Sequence, residues 1–453
     1  MKKILLFTLV AVLFAACSKE SLHSINEASV NDGEIISTKS SLFCDSTAIH
    51  STTYLGDTYW ENNGITPEFL KTIEGGDNKM NKCQIPEKIL KTIPSMELAL
   101  ICLTHPLNLD FLLSNDEDYA IDFMITNFNV LSELLNREDG PLCLIKSYAS
   151  INKENVYYQL IEAFAENLLK NDKFYEKMDM ESIDLLRSVI VNKINNRKLK
   201  KNGLIPQHRI NNLHSKLFGY DLISKASNTT NDNDEVLNSV ITPFGKTVPF
   251  TIFPEMEQDS IDYITNWYVS RYNVEILEPA TQKYNCHAYA WASSKLVWIN
   301  DPVAYYTTND LYFRSNSNVA IVGYGGDHSA VKQSNSYYIS KWSNGPLVRH
   351  SPTNVPSIYQ PNNRTNYSLP YIQGSDVVNT GSTYTYTMEP NMSYAMYTWS
   401  IPDQEEDRYE FLNQSNNTIQ IKFRRGGVYL VYCSISNAHG EVVHTDRYEV
   451  LVN

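Results

Sequence analysis

Positive charge is in short supply in this 453-residue chain, where 38 Lys and Arg stand against 51 Asp and Glu for a formal net charge of −13. Nucleic-acid binding rests on neutralising phosphates with basic side chains, so that class of partner is excluded as an expectation. No glycine-rich phosphate loop and no dense Cys/His cluster is present, and neither a cofactor nor a metal is expected. Long apolar runs are missing too. The longest, Ile4 to Phe14, falls short of the roughly 20 residues that a membrane-spanning helix needs. Cysteine is scarce, with seven in all, and the five left after Cys17 and Cys286 are set aside cannot be paired from spacing alone. The length suggests two to four domains.

What is present begins with a tripartite leader. Met1-Lys2-Lys3 is basic, Ile4 to Phe14 is apolar, and Ala15-Ala16-Cys17 is a small-residue cleavage site ending in Cys. This pattern resembles a bacterial, Bacteroidetes-type lipoprotein signal. The resemblance implies that Cys17 becomes the lipidated first residue of the mature protein and ties it to a membrane. Ser18 after the cysteine implies transport to the outer membrane. Residues 18–55 are rich in Ser, Asn and Glu and read as a flexible tether.

Residues 56–225 are expected to form an all-α domain of five to seven helices. Ala120, Met124, Phe128, Leu131 and Leu135 recur at helical spacing, as do Tyr157, Ile161, Phe164 and Leu168, and then Ile183, Leu186, Ile190 and Ile194. Pro94, Pro106, Asp139-Gly140-Pro141 and Lys201-Asn202-Gly203 supply stops. The polar run 228–234 lies in a linker, 226–242. Residues 359–370, with Pro361 and Asn362-Asn363, read as a connector. From 371 to 453, short alternating strands such as Thr383–Thr387 and Thr418–Phe423 surround a central Trp399, and resemble an Ig-like or PKD-type β-sandwich. Only Cys433 lies in that segment, so the inter-sheet disulfide of antibody domains is absent from the expectation.

The chemistry concentrates between the linker and the connector, in 243–358. Tyr284-Asn285-Cys286 reads as an extended segment delivering a thiol to a helix start, where unpaired backbone N–H groups favour a thiolate. Val319–Tyr324 reads as a strand, Gly325-Gly326-Asp327 as a turn, and His328 as the opening of the next strand. Tyr337–Trp342 pairs back on it as a hairpin and carries Ser340. A helix-borne Cys facing a strand-borne His, with a polar residue on the neighbouring strand, is the nucleophile, base and orienter arrangement. His350 is a second candidate base.

These residues resemble the NlpC-like branch of papain-fold cysteine peptidases and amidases, and the resemblance covers roughly residues 245 to 355. It implies an α+β central domain with Cys286 as nucleophile, His328 as base and Ser340 as orienter, where the family more often has His, Asn or Gln. His287 stands where the family usually has a small residue. An amide bond in a peptide, peptidoglycan or a protein would be attacked by Cys286, with its own backbone N–H among the oxyanion donors. A second class stays open, a surface-binding lipoprotein whose papain-like domain is a degenerate scaffold.

Overall fold

The computed structural model describes residues 58–114, 116–151, 155–198, 213–214, 216–218 and 239–453. Cys17, the tether and the polar run 228–234 lie outside them. Among the described residues no helix is long and apolar enough to cross a membrane. Cys143 is disulfide-bonded, whereas Cys83, Cys102, Cys286 and Cys433 are free, buried thiols.

The N-terminal region is helical, in more and shorter pieces than the apolar spacing predicts: among the described residues twelve segments lie between Thr58 and Lys198. The stripe from Ala120 to Leu135 belongs to two helices, Glu117–Asn127 and Asn129–Asn136, broken at Phe128, whose φ of −124° and ψ of 106° are extended. That break lets the Phe128 ring pack on His105 and Trp60, at 4.2 and 6.0 Å between ring centroids. Periodicity continues through it because both helices face one core. Val156–Lys170 and Met180–Lys198 carry the other two stripes as expected.

Next in the chain comes a seven-stranded antiparallel sheet. Its order is Glu275–Glu278, Leu347–His350, Tyr338–Lys341, His328–Lys332, Val319–Tyr324, Arg364–Ser368 and Phe313–Arg314. The sixth of these corrects the reading of 359–370 as a connector. Arg364-Thr365-Asn366-Tyr367-Ser368 holds a single large apolar residue, so its strand character came from pairing with Val319–Tyr324 and left no alternation in the sequence.

Strand alternation gives the sheet two different faces. Val322, Tyr324, Ala330, Tyr338, Trp342 and Val348 join the core of the N-terminal helices, together with Trp267, Tyr268 and Tyr272 from helix Gln258–Arg271. Ile321 and Tyr367, from the opposite face, pack with Tyr284, Ala288 and Trp291 around helix Cys286–Ala292. The helical region and the sheet therefore share one hydrophobic core.

The C-terminal region is a β-sandwich with a core of its own, including Tyr386, Trp399, Phe423 and Tyr429. One sheet runs Tyr371–Gln373, Thr383–Glu389, Thr418–Phe423, Tyr409–Ser415, and the other Val377–Val378, Val442–Val452, Gly427–Ser436, Met396–Ser400. Lettered along the chain, these are A-B-E-D and A′-G-F-C, the Ig-type arrangement. Cys433 faces Trp399 across a strand pair as a buried thiol.

Candidate active site

Local sequence fixes the position of Cys286. The Asn285 side chain caps the helix by accepting from the Ala288 N–H at 3.0 Å, and its Nδ2 donates to the Ile299 carbonyl at 2.8 Å. The polar residue before the cysteine thus ties the helix start to the strand-like segment beyond the helix. Upstream, Tyr284 donates its hydroxyl to Glu278 at 2.8 Å. Cys286 begins the first turn and is fully buried.

Two imidazoles act on the thiol. Burial alone would raise its pKa, but charge on His287 and His328, with hydrogen bonding from His287, outweighs that and holds it well below the usual thiol range. His287 is raised in turn. Burial opposes the shift, and the Cys286 thiolate and the Asp327 carboxylate overcome it. Its Nε2 lies 3.0 Å from Asp327 Oδ1 and its Nδ1 2.9 Å from Ser329 Oγ, which also accepts from Trp291 Nε1 at 2.9 Å. In the imidazolium form both ring N–H groups donate, to Asp327 and to Ser329.

His328 is held differently. Its ring stacks on Tyr359 with 3.8 Å between centroids and 3° between planes, and neither ring nitrogen has an oxygen or nitrogen partner. Both nitrogens are thus without a hydrogen-bond partner, sulfur included. The stack depends on Gly326, where a side-chain carbon would meet the Ile358 carbonyl oxygen at 1.7 Å. Asp327 follows at φ +52°, a left-handed conformation that Asp adopts more readily than most residues.

His328 acts electrostatically on Cys286, whereas Ser340, expected beside it as orienter, is engaged elsewhere. Ser340 Oγ accepts from Trp342 Nε1 at 3.0 Å and lies 2.8 Å from His350 Nε2. His350 Nδ1 donates to the Ser351 carbonyl at 2.8 Å, so its Nε2 is the acceptor and Ser340 donates to it. Ser340 therefore orients His350. Burial lowers the His350 pKa to about 3, and this histidine stays neutral and fully occupied, which removes it as the rival base.

Ser340→Ala should accordingly leave the reactivity of Cys286 unchanged while stranding the buried Trp342 and His350 nitrogens, at a cost of about 1–3 kcal/mol each. Urea denaturation read beside alkylation rates checks this. Slower alkylation at unchanged stability would restore Ser340 to the catalytic group.

Four contributors escaped the sequence reading. His287 and Asp327 were in plain view beside Cys286 and His328, and adjacency to a candidate nucleophile and base was the usable signal. Lys341 and Tyr359 carried none. Lys341 Nζ is buried among the carbonyls of Thr281, at 2.8 Å, Gly345, at 2.5 Å, and Ser343, and sits 5.2 Å from the centre of the Tyr284 ring. Burial pulls its pKa down to about 7, against the pull of the Cys286 charge. No group of three or more His, Cys, Asp or Glu among the described residues could hold a metal ion.

No family model matches the chain, and no curated protein does. Among solved structures, a PKD domain of an M14-like peptidase from Thermoplasmatales archaeon SCGC AB-540-F20 is 21% identical over 18% of this chain and 94% of that one, with a TM-score of 0.14. The surface protein SGBP-B of a Bacteroides ovatus mixed-linkage glucan utilisation locus is 14% identical over 31% and 40%, with a TM-score of 0.14. A SusE-like surface-located polysaccharide-binding protein from the Bacteroides thetaiotaomicron heparin utilisation locus is 13% identical over 31% and 24%, also at 0.14. This chain spans less than half of either Bacteroides protein. These likenesses say nothing about chemistry at Cys286.

Proposed function

We propose that this protein is a cell-envelope lipoprotein, anchored through Cys17, that cleaves an amide bond with Cys286 in a papain/NlpC-like domain spanning about 243–358. The observation that supports it most is the thiol of Cys286, held below its usual range between His287 and His328. The Cys286 sulfur attacks the amide carbonyl, the C–N bond breaks as the His328 imidazolium protonates the leaving amine, and a thioester remains on Cys286. Water, deprotonated by His328, then releases the acid and restores the thiol. Asp327 keeps His287 positive beside the sulfur through both steps. Peptide, peptidoglycan and protein amides are the substrate classes in view.

A second reading, a non-catalytic surface-binding lipoprotein, is supported by the burial of the site. Cys286, His287 and His328 are 0, 3 and 2% exposed, and an Ig-like sandwich is a module type that often presents or binds. The mature protein incubated with purified peptidoglycan and with a peptide-amide library separates the two. Release of new amino groups by wild type and its loss in Cys286→Ala, by several orders of magnitude, supports hydrolysis. No release from either substrate, by a protein that still binds envelope glycans, supports the second reading.

A further inference from the structure

A cavity of about 490 Å³ opens between the N-terminal helices and the segment that follows His350. Helix Gly76–Lys82 contributes Asp77 and Asn81, helix Glu117–Asn127 contributes Phe123 and Asn127, and the segment across the gap contributes Ser357 and Asn362 among others. Its size falls within the roughly 300–1,000 Å³ of small-molecule sites.

The lining is selective. Among the described residues no Lys, Arg or His lines the cavity, so an anion finds no counter-charge there. One carboxylate, already accepting from Asn362 Nδ2 at 3.2 Å, is too little for a cation. Carboxamides dominate; Asn127, Gln360, Asn362 and Asn363 each already donate one N–H within the protein, which orients them and leaves the second N–H of each amide group and the oxygens of Asn127, Asn362 and Asn363 to complement hydroxyls that both donate and accept. Phe123 adds an apolar surface to the same wall.

An independent observation comes from Ser357. It is 1% exposed, it lines this cavity, and its Oγ has no hydrogen-bond partner. Buried hydroxyls are nearly always paired; this one is closed to solvent as it stands, and a turn about χ1 is what would bring it to a ligand in the cavity. We infer that this cavity binds a neutral, polyhydroxylated ligand, a saccharide ring. The inference stands apart from the hydrolase reading, since none of these residues touches Cys286.

Isothermal titration of the mature protein with cellotetraose, maltotetraose and chitotetraose tests it, the last distinguishing an N-acetylated glycan strand from a simple glucan. Wild type should bind at least one with a millimolar or tighter Kd. Asn81 and Asn127 are exposed, and replacing both with Ala should weaken binding by about tenfold or more. Ser357→Ala should weaken it as well while leaving Tm unchanged or raised, because it removes an unpaired hydroxyl; a purely structural role would lower Tm. Absence of binding to all three probes, or wild-type affinity in either variant, would overturn the inference. The same titration with Cys286→Ala should match wild type, which keeps this result separate from the fate of the hydrolase reading.

Discussion

Iodoacetamide at pH 6 should modify Cys286 well ahead of Cys83, Cys102 and Cys433, and His328→Ala should slow that reaction by about tenfold or more. The contrast among the four thiols is electrostatic. Burial pushes Cys83 and Cys433 up to about 12 and Cys102 well above its usual value, and at each of them no imidazole pulls the other way. Cys286 is equally buried, yet His287 and His328 reverse the sign of the shift. The reactive species is the thiolate, and each unit of pKa regained on losing an imidazole removes tenfold of it at a pH below the pKa. Because the sulfur is buried, the absolute rate also carries the probability of a local opening. The pH profile separates the two factors. A thiolate pre-formed in the native protein keeps its reactivity as pH falls from 8 to 6. A thiol that reacts only after unfolding loses reactivity about tenfold per unit below its unperturbed value of roughly 8.5. The second profile, identical in His328→Ala, would remove the nucleophile and leave a structural cysteine.

Lys341→Met should lower stability by about 3 kcal/mol. Three backbone carbonyls, of Thr281, Ser343 and Gly345, lose their donor inside the protein, and each stranded acceptor costs about 1–3 kcal/mol. Relief from burying an ammonium offsets part of this. Chemical denaturation followed by the fluorescence of buried Trp267 and Trp342 measures the net effect. Thr281 lies five residues before Cys286, and the Lys341 charge favours the thiolate, so alkylation at pH 6 should slow in the same variant. An unchanged denaturation midpoint would mean that water replaces the ammonium among those carbonyls and that the cage is not structural.

Much of this architecture was legible in the residues. Helices at 156–170 and 180–198 followed from 3.6-residue spacing, the hairpin from Val319 to Lys341 from alternation around Gly325-Gly326-Asp327, and the sandwich from short strands around Trp399. Cys286 at a helix start and His328 at a strand start sit at element boundaries that sequence marks well. What stayed hidden depends on partners far away in the chain. Tyr359 meets His328 only because Gly326 admits the turn at 357–359, and nothing near Tyr359 announces this. Ser340 was misassigned for a related reason. Its position on the strand beside His328 was correct, but spacing cannot tell which of two histidines a hydroxyl will reach. His350, on the next strand over, reached it.

The core shared by the N-terminal helices and the sheet has a consequence for how such a chain can be recombined. Tyr272 donates its hydroxyl to Asp110 at 2.5 Å and carries the Lys79 ammonium 4.9 Å from its ring centre, while Tyr268 and Trp342 pack on Tyr272 within the same core. The helices are therefore not a cassette that gene fusion could add or delete, because either half alone would expose a wide aromatic face to water. The sandwich has a core of its own, yet Phe244 packs against it and Tyr394 donates its hydroxyl to the Asp310 carbonyl at 2.9 Å, so an exchange of the sandwich must keep these contacts. Shuffling in this architecture is confined to the junction near residue 370, and substitutions along the helix–sheet seam must change in concert on both sides.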